Sequence, residues 1–103
     1  ISNKNIYNGN WRSDVKYGKG IYYMNTGDRY DGDFKYDRYE GKGIYYWNDG
    51  DRYEGNFYNG KRDGNGIMYY TNGSRKMGDY SMNIPIGKHV ILHSNGNVEF
   101  KNY

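Results

Sequence analysis

Few side chains in this 103-residue chain are of kinds that perform chemistry, and their spacing decides what each can do. His89 and His93 stand four positions apart. On a helix that spacing suits a zinc site, but on a strand it separates the rings by about 13 Å, too far to share one metal. The carboxylates Asp28, Asp31, Asp33, Asp51 and Glu54 fall at turn-like and polar strand-like positions, where solvation accounts for them without paired acid–base work. There is no nucleophile motif, phosphate loop or dinucleotide fingerprint, since Gly41-Lys42-Gly43 runs into strand-forming residues instead of opening a helix. Asn72-Gly73-Ser74 spells a glycosylation sequon and reads better as a turn. The expectation is a non-enzymatic chain with no metal and no cofactor.

Two further sets carry chemistry by recurrence. Arg29, Arg52 and Arg75 are 23 apart, as are Lys19 and Lys42, with Lys88 two intervals further on. Stacked copies would repeat like charges every 10 Å or so and could contact anionic lipid headgroups, at about 1 kcal/mol per charge. Asp28 and Asp51 directly precede two of the arginines, and local neutralisation is the simpler reading. The second set is aromatic and apolar: Tyr22, Tyr45, Trp47, Met68 and Tyr70. Large unpartnered stripes of this kind mark protein contacts. A net charge of +3 with interleaved signs gives no footprint for nucleic acid, which is not an expected partner.

The elements that must position these residues follow from composition. Gly (16) and Tyr (15) dominate, while Ala and Gln are absent and Leu occurs once. The cheap helix formers are the ones missing, which predicts an all-β chain. With so few aliphatic residues the buried layer must be thin and aromatic. There is no Cys, which fits a reducing compartment, and no run approaches the ~18 apolar residues of a membrane helix.

One period organises the whole chain. Gly9, Gly32, Gly55 and Gly78 recur every 23 residues, as do Gly18, Gly41, Gly64 and Gly87, and Gly27, Gly50, Gly73 and Gly96. Trp11, Phe34, Phe57 and Tyr80 keep the register between them. Four repeats result, 7–29, 30–52, 53–75 and a degenerate 76–98, in which Lys76 stands in a tyrosine column and His89 in a glycine column. Such wear is expected of a capping repeat. Within a repeat, Tyr53-Glu54-Gly55-Asn56-Phe57 alternates as a strand, and a second strand carries Gly64-Asn65-Gly66-Ile67-Met68-Tyr69-Tyr70. Segments such as Asn48-Asp49-Gly50-Asp51 read as tight hairpin turns, and the connection holding Asn59-Gly60 reads as the looser one. A two-residue turn sets Tyr46 against Tyr53; a bulged one sets Trp47 against Tyr53 and Tyr45 against Gly55. Either way an aromatic ring must lie across a bare glycine backbone.

The pattern Tyr53-Glu54-Gly55-Asn56-Phe57-x-x-Gly60-x-x-x-Gly64-x-Gly66, closed by Gly73, resembles the MORN (membrane occupation and recognition nexus) repeat, over residues 7 to about 98. The resemblance implies an elongated, twisted antiparallel β-meander serving as a scaffold, dimerisation or targeting module, and phospholipid binding has been proposed for the family. The expected function is protein–protein interaction within a single repeat domain, 1–103. A chain starting Ile1-Ser2-Asn3 reads as a fragment of a larger protein, cytoplasmic and peripheral to a membrane or cytoskeletal structure. A phosphoinositide-headgroup module and a regulatory segment of a larger enzyme are the alternatives. Open terminal strands predict self-association.

Overall fold

The computed structural model describes residues 4–103. Among them lie nine strands and no helix: β1 (Ile6–Arg12), β2 (Val15–Tyr23), β3 (Arg29–Lys35), β4 (Arg38–Tyr46), β5 (Arg52–Tyr58), β6 (Lys61–Tyr69), β7 (Arg75–Ser81), β8 (Ile84–Leu92) and β9 (Val98–Asn102). Each pairs antiparallel with the next in one open sheet ordered β1 to β9. The body measures 47 × 29 × 17 Å with a radius of gyration of 14.9 Å. A compact chain of this length would give about 13 Å, so the meander is drawn out along its stacking direction.

Each hairpin joins a seven-residue strand to one of nine, and a bulge absorbs the difference. Gly32 faces Gly43 but Phe34 faces Tyr39, so Glu40, Gly41 and Lys42 oppose Asp33 alone. Two surplus residues preserve which side chains share a face while bending the strand. Gly41 takes φ +107° at the bend, and the Lys42 N–H reaches the Asp33 carboxylate at 3.2 Å in place of a ladder partner. The same shift recurs in the other three hairpins.

Both expectations about the turns are corrected. The glycine-centred connections are the longer ones. The Trp47 N–H donates to the Asp51 carbonyl and the Gly50 N–H to the Trp47 carbonyl, both at 3.0 Å, enclosing the three-residue turn Asn48-Asp49-Gly50. Tyr45 therefore faces Tyr53 and Gly43 faces Gly55, a register that neither sequence alternative supplied. Three-residue turns of this type need positive φ at the last position, which Gly50 adopts at +102°. The opposite connections are two-residue turns with both residues at positive φ: Ser13-Asp14, Tyr36-Asp37, Asn59-Gly60 and Met82-Asn83. Cross-repeat bonds hold them there. The N–H groups of Asp37, Gly60 and Asn83 donate to the carbonyls of Lys16, Tyr39 and Arg62 at 3.1, 3.0 and 2.9 Å.

The core is one ring thick. On the inner face Tyr7, Tyr30 and Tyr53 each lay a phenol across two glycines on adjacent strands: Gly9 with Gly20, Gly32 with Gly43, and Gly55 with Gly66. A Cβ on any of these six would overlap the ring or the facing backbone. Each hydroxyl donates to the carbonyl three residues on, Asn10, Asp33 or Asn56, at 2.7, 2.8 and 3.2 Å. Tyr30 and Tyr53 are 0% exposed although no second sheet covers them. Edge contacts link the rings into a zigzag: Trp11, Tyr7, Phe34, Tyr30, Phe57, Tyr53, Tyr80, with centroids 4.9–5.4 Å apart. Edge-to-face pairs add roughly 0.5–1.5 kcal/mol each beyond the area they bury.

The fourth repeat continues this ladder by an exchange. Lys76 stands where the covering tyrosine would, and the His89 imidazole, rising from the glycine column, covers Gly78 instead. His89 Nε2 reaches the Asp79 carbonyl at 2.8 Å, the counterpart of the bond made by Tyr30 to Asp33. A carbonyl only accepts, so Nε2 carries the proton. His89 is 0% exposed and meets Tyr80 and Tyr103 edge-on at 5.3 and 4.8 Å. What the sequence presents as wear is a relocated ring.

Two outcomes follow for urea unfolding. Gly66→Ala, which drives a methyl into the Tyr53 ring, is expected to lose about 2–3 kcal/mol. Gly60→Ala, at φ +80° with nothing within 4 Å, should lose only about 1 kcal/mol; equal losses would contradict the ring-on-glycine account. Lys76→Tyr crowds His89 and His89→Gly uncovers Gly78, but together they rebuild the pattern of the earlier repeats. A double-mutant cycle should give a favourable coupling of about 2 kcal/mol, and additive losses would show that the two positions do not exchange.

Candidate functional site

The aromatic set singled out from sequence lies on the inner face. Tyr22, Tyr45, Trp47 and Tyr70 pack half-buried against the covering rings, and Met68, 7% exposed, belongs to the core itself. The side chains that look out from the opposite, outer face are Ile21, Tyr23, Ile44, Tyr46, Ile67 and Tyr69, adjacent in sequence and therefore opposite in direction.

Two recesses open on the inner face, and the second is the first moved by one repeat. One, of about 190 Å³, is walled by Lys16, Tyr22, Phe34 and Tyr39. The other, of about 340 Å³, is walled by Tyr39, Tyr45, Phe57 and Arg62, with Trp47 at its edge. Each residue of the second wall follows its counterpart by 23 positions. Tyr39 divides the two recesses and is fixed by stacking on Tyr30 at 3.9 Å and 12°. Tyr45 is fixed by donating to the Asp28 carboxylate at 2.8 Å. Arg62 is fixed by bonds to the Asn83 side chain and carbonyl at 3.3 and 3.0 Å, and its guanidinium lies 4.9 Å from the Tyr80 ring centre. The walls are therefore rigid before any ligand arrives.

Tyr39 and Arg62 escaped the sequence reading because their column, Lys16, Tyr39, Arg62, Pro85, preserves no residue type. Its only signal was position, midway between the two-residue turn and the bulge glycine.

The basic columns are engaged within the fold. Arg29 lies 4.0 Å above the Tyr46 ring and Arg52 3.9 Å above Tyr69, while Arg75 approaches Tyr69 at 5.8 Å. Arg52 also pairs with Glu54 at 2.9 Å. Lys19 pairs with Asp33, and Lys42 donates to Asn56 at 3.2 Å. The local neutralisation expected from Asp28 and Asp51 is not what they do. Their carboxylates instead accept the N–H groups of Asn48 and Thr71 in the next turn, at 3.0 and 2.9 Å, because those donors have no ladder partner. The histidines serve separate purposes: His89 is a core ring, and His93 contacts Glu99 at 2.8 Å. Among the described residues no three His, Asp or Glu side chains gather as a metal site.

Burial governs the phenols. It pushes Tyr39 and Tyr53 up to about 12 from an ordinary value of 10. It also raises Tyr30 and Tyr80, and Tyr45, where the Asp28 carboxylate adds to the effect.

A family model described as MORN repeat matches three tandem segments, residues 7–29, 30–52 and 53–75. These are the three repeats in which a tyrosine covers two glycines. The search of curated proteins finds no match.

Because the folded state holds these phenols neutral, their contribution to stability is complete below pH 10 and is lost as pH rises through about 12. Alkaline titration should show circular dichroism collapsing as tyrosinate absorbance grows between these limits. Full tyrosinate formation with the sheet signal intact would contradict burial as the cause.

Proposed function

The chain belongs to the MORN repeat family, and from that premise we propose that it is a non-enzymatic interaction module whose inner aromatic face receives a segment of a partner protein, placing its parent at a membrane or cytoskeletal structure. The observation that carries this reading is the pair of recesses, alike in build and one repeat apart, walled by rings already fixed by the fold. Fixed aromatic walls bind with little further loss of side-chain entropy, and buried aromatic contacts dominate protein interfaces. A catalytic reading has less support, since nucleophile, base and metal cluster do not converge at either recess. The outer-face arginines lie on tyrosine rings or pair with Glu54, which favours the inner face over a headgroup site.

Selection of a displayed random peptide library on the protein tests the proposal, with Tyr45→Ser/Trp47→Ser, checked for retained circular dichroism, as the counter-target. Recovered peptides are expected to lose binding to that variant and to shift Trp47 fluorescence in the parent. Peptides that bind both proteins equally would sink it. Phosphoinositide vesicles provide the contrasting arm, with no salt-sensitive cosedimentation expected. Vesicle binding that survives Tyr45→Ser/Trp47→Ser and disappears in Arg29→Ser/Arg52→Ser would move the function to the outer face.

A further inference from the structure

The recesses also constrain what fills them. Resting on the interaction reading above, we propose that the occupant is an acidic partner segment in polyproline II conformation, with bulky apolar side chains three residues apart seated on either side of Tyr39.

Spacing is the first argument. The recesses differ by one repeat, two strand spacings, which is about 9.6 Å. A polyproline II chain running along the stack rises about 3.1 Å per residue with three residues per turn. It therefore returns a side chain to the same face every 9.3 Å or so, in step with the repeats. A β-strand does not achieve this, because residues three apart point to opposite faces. A helix would match every seventh residue in rise. However, the two inner rows, one through Tyr30 and Tyr45 and the other through Phe34 and Tyr39, are four residues apart along β3, about 13 Å between backbones. Side chains rising from both rows leave too little width for a helix of 10–12 Å.

Charge is the second argument. Among the residues lining the two recesses, Lys16, Arg38 and Arg62 are cationic and Asp37 alone is anionic. Asp37 is already committed, accepting the Lys16 N–H at 2.7 Å and lying 3.8 Å from the Lys16 ammonium. Arg62 contacts only Asn83, Met68 and aromatic rings among the described residues. The face therefore presents a positive surplus around apolar walls. Planar tyrosine and tryptophan walls with a neighbouring arginine suit prolines and apolar side chains on an extended, preformed backbone.

Trp11→Phe leaves Trp47, at the edge of the second recess, as the fluorescent reporter. The probes are four acidic peptides of twelve residues. Three are rich in Pro, Asp and Glu and carry two leucines at i,i+2, i,i+3 or i,i+4. The fourth is helix-forming with leucines at i,i+7. The i,i+3 peptide should bind about tenfold more tightly than the others. Arg38→Glu, an exposed substitution, should weaken it roughly threefold or more at low salt, with the difference gone at high salt. Equal affinities, a preference for the helical peptide, no binding by any of the four, or indifference to Arg38→Glu would each overturn the proposal. The library selection reads independently of these: selected peptides that need Tyr45 and Trp47 but show another spacing preserve the interaction module and remove this occupant.

Discussion

A phenol lying flat on two glycines of neighbouring strands is the contact on which everything else depends. A single antiparallel sheet has no second layer against which to bury apolar surface, and an isolated sheet face in water is marginal. Here the sheet supplies its own second layer. Removing two side chains exposes a strip of peptide backbone as an apolar floor, and one tyrosine from the same face folds down to fill it. The glycines in mid-strand, which would ordinarily cost stability, are thus the condition for the core. The hydroxyl closing on the Asp33 or Asn56 carbonyl fixes where along the strip the ring comes to rest.

Because each covering ring also meets the next repeat's Phe34, Phe57 or Tyr80 edge-on, the burial inside one hairpin requires its neighbour. Stability is then built from nearest-neighbour terms along the stack. This explains why the fourth repeat keeps the ladder at the expense of its own consensus. An imidazole from β8 reaches the same carbonyl position and the same neighbouring rings as the lost tyrosine. Tyr103 then extends the column of Phe57 and Tyr80 by another 23 positions. The residue type is replaceable, but a planar ring with one hydrogen-bond donor, resting over backbone, is not.

This logic also sorts what a reader of the sequence can see from what stays hidden. Glycine columns at an interval of 23 are legible because no other residue fits under the rings at Gly32 and Gly43 and because the bulge at Gly41 and the turn at Gly50 take positive φ, so the hairpins, the repeat bounds and the pairing of Gly with Tyr all stand out. The register at Asn48-Asp49-Gly50 is hidden because it turns on whether Trp47 pairs with Asp51, a choice of one turn geometry among several compatible with the same letters. The two-residue turns are hidden where Tyr36-Asp37 and Met82-Asn83 take positive φ without glycine, since the force holding them is a bond to a carbonyl 21 residues earlier. Of the candidate site, Tyr22, Tyr45 and Trp47 were legible as a recurring stripe. Tyr39 and Arg62 were not, because a position that separates recesses needs bulk and rigidity and can obtain them from a stacked phenol or a clamped guanidinium.

The two faces of the sheet follow different chemistry for the same reason. On the outer face rows alternate across the strands, Ile21 beside Asp31 beside Ile44 beside Glu54, and Tyr23 beside Arg29 beside Tyr46 beside Arg52. Each apolar side chain in these rows has a charged neighbour on at least one side, and each arginine toward the middle of the stack has a ring beneath it. Such a surface is satisfied in water. The inner face cannot be balanced in this way, since its charged positions are few and its rings must stay stacked to keep the glycine strip dry. Both recesses open beside Tyr39 and the turn glycine Gly60, in space that the ring-on-glycine core does not need. The period that builds the core therefore also spaces the recesses, so any segment bound there must answer to the same interval.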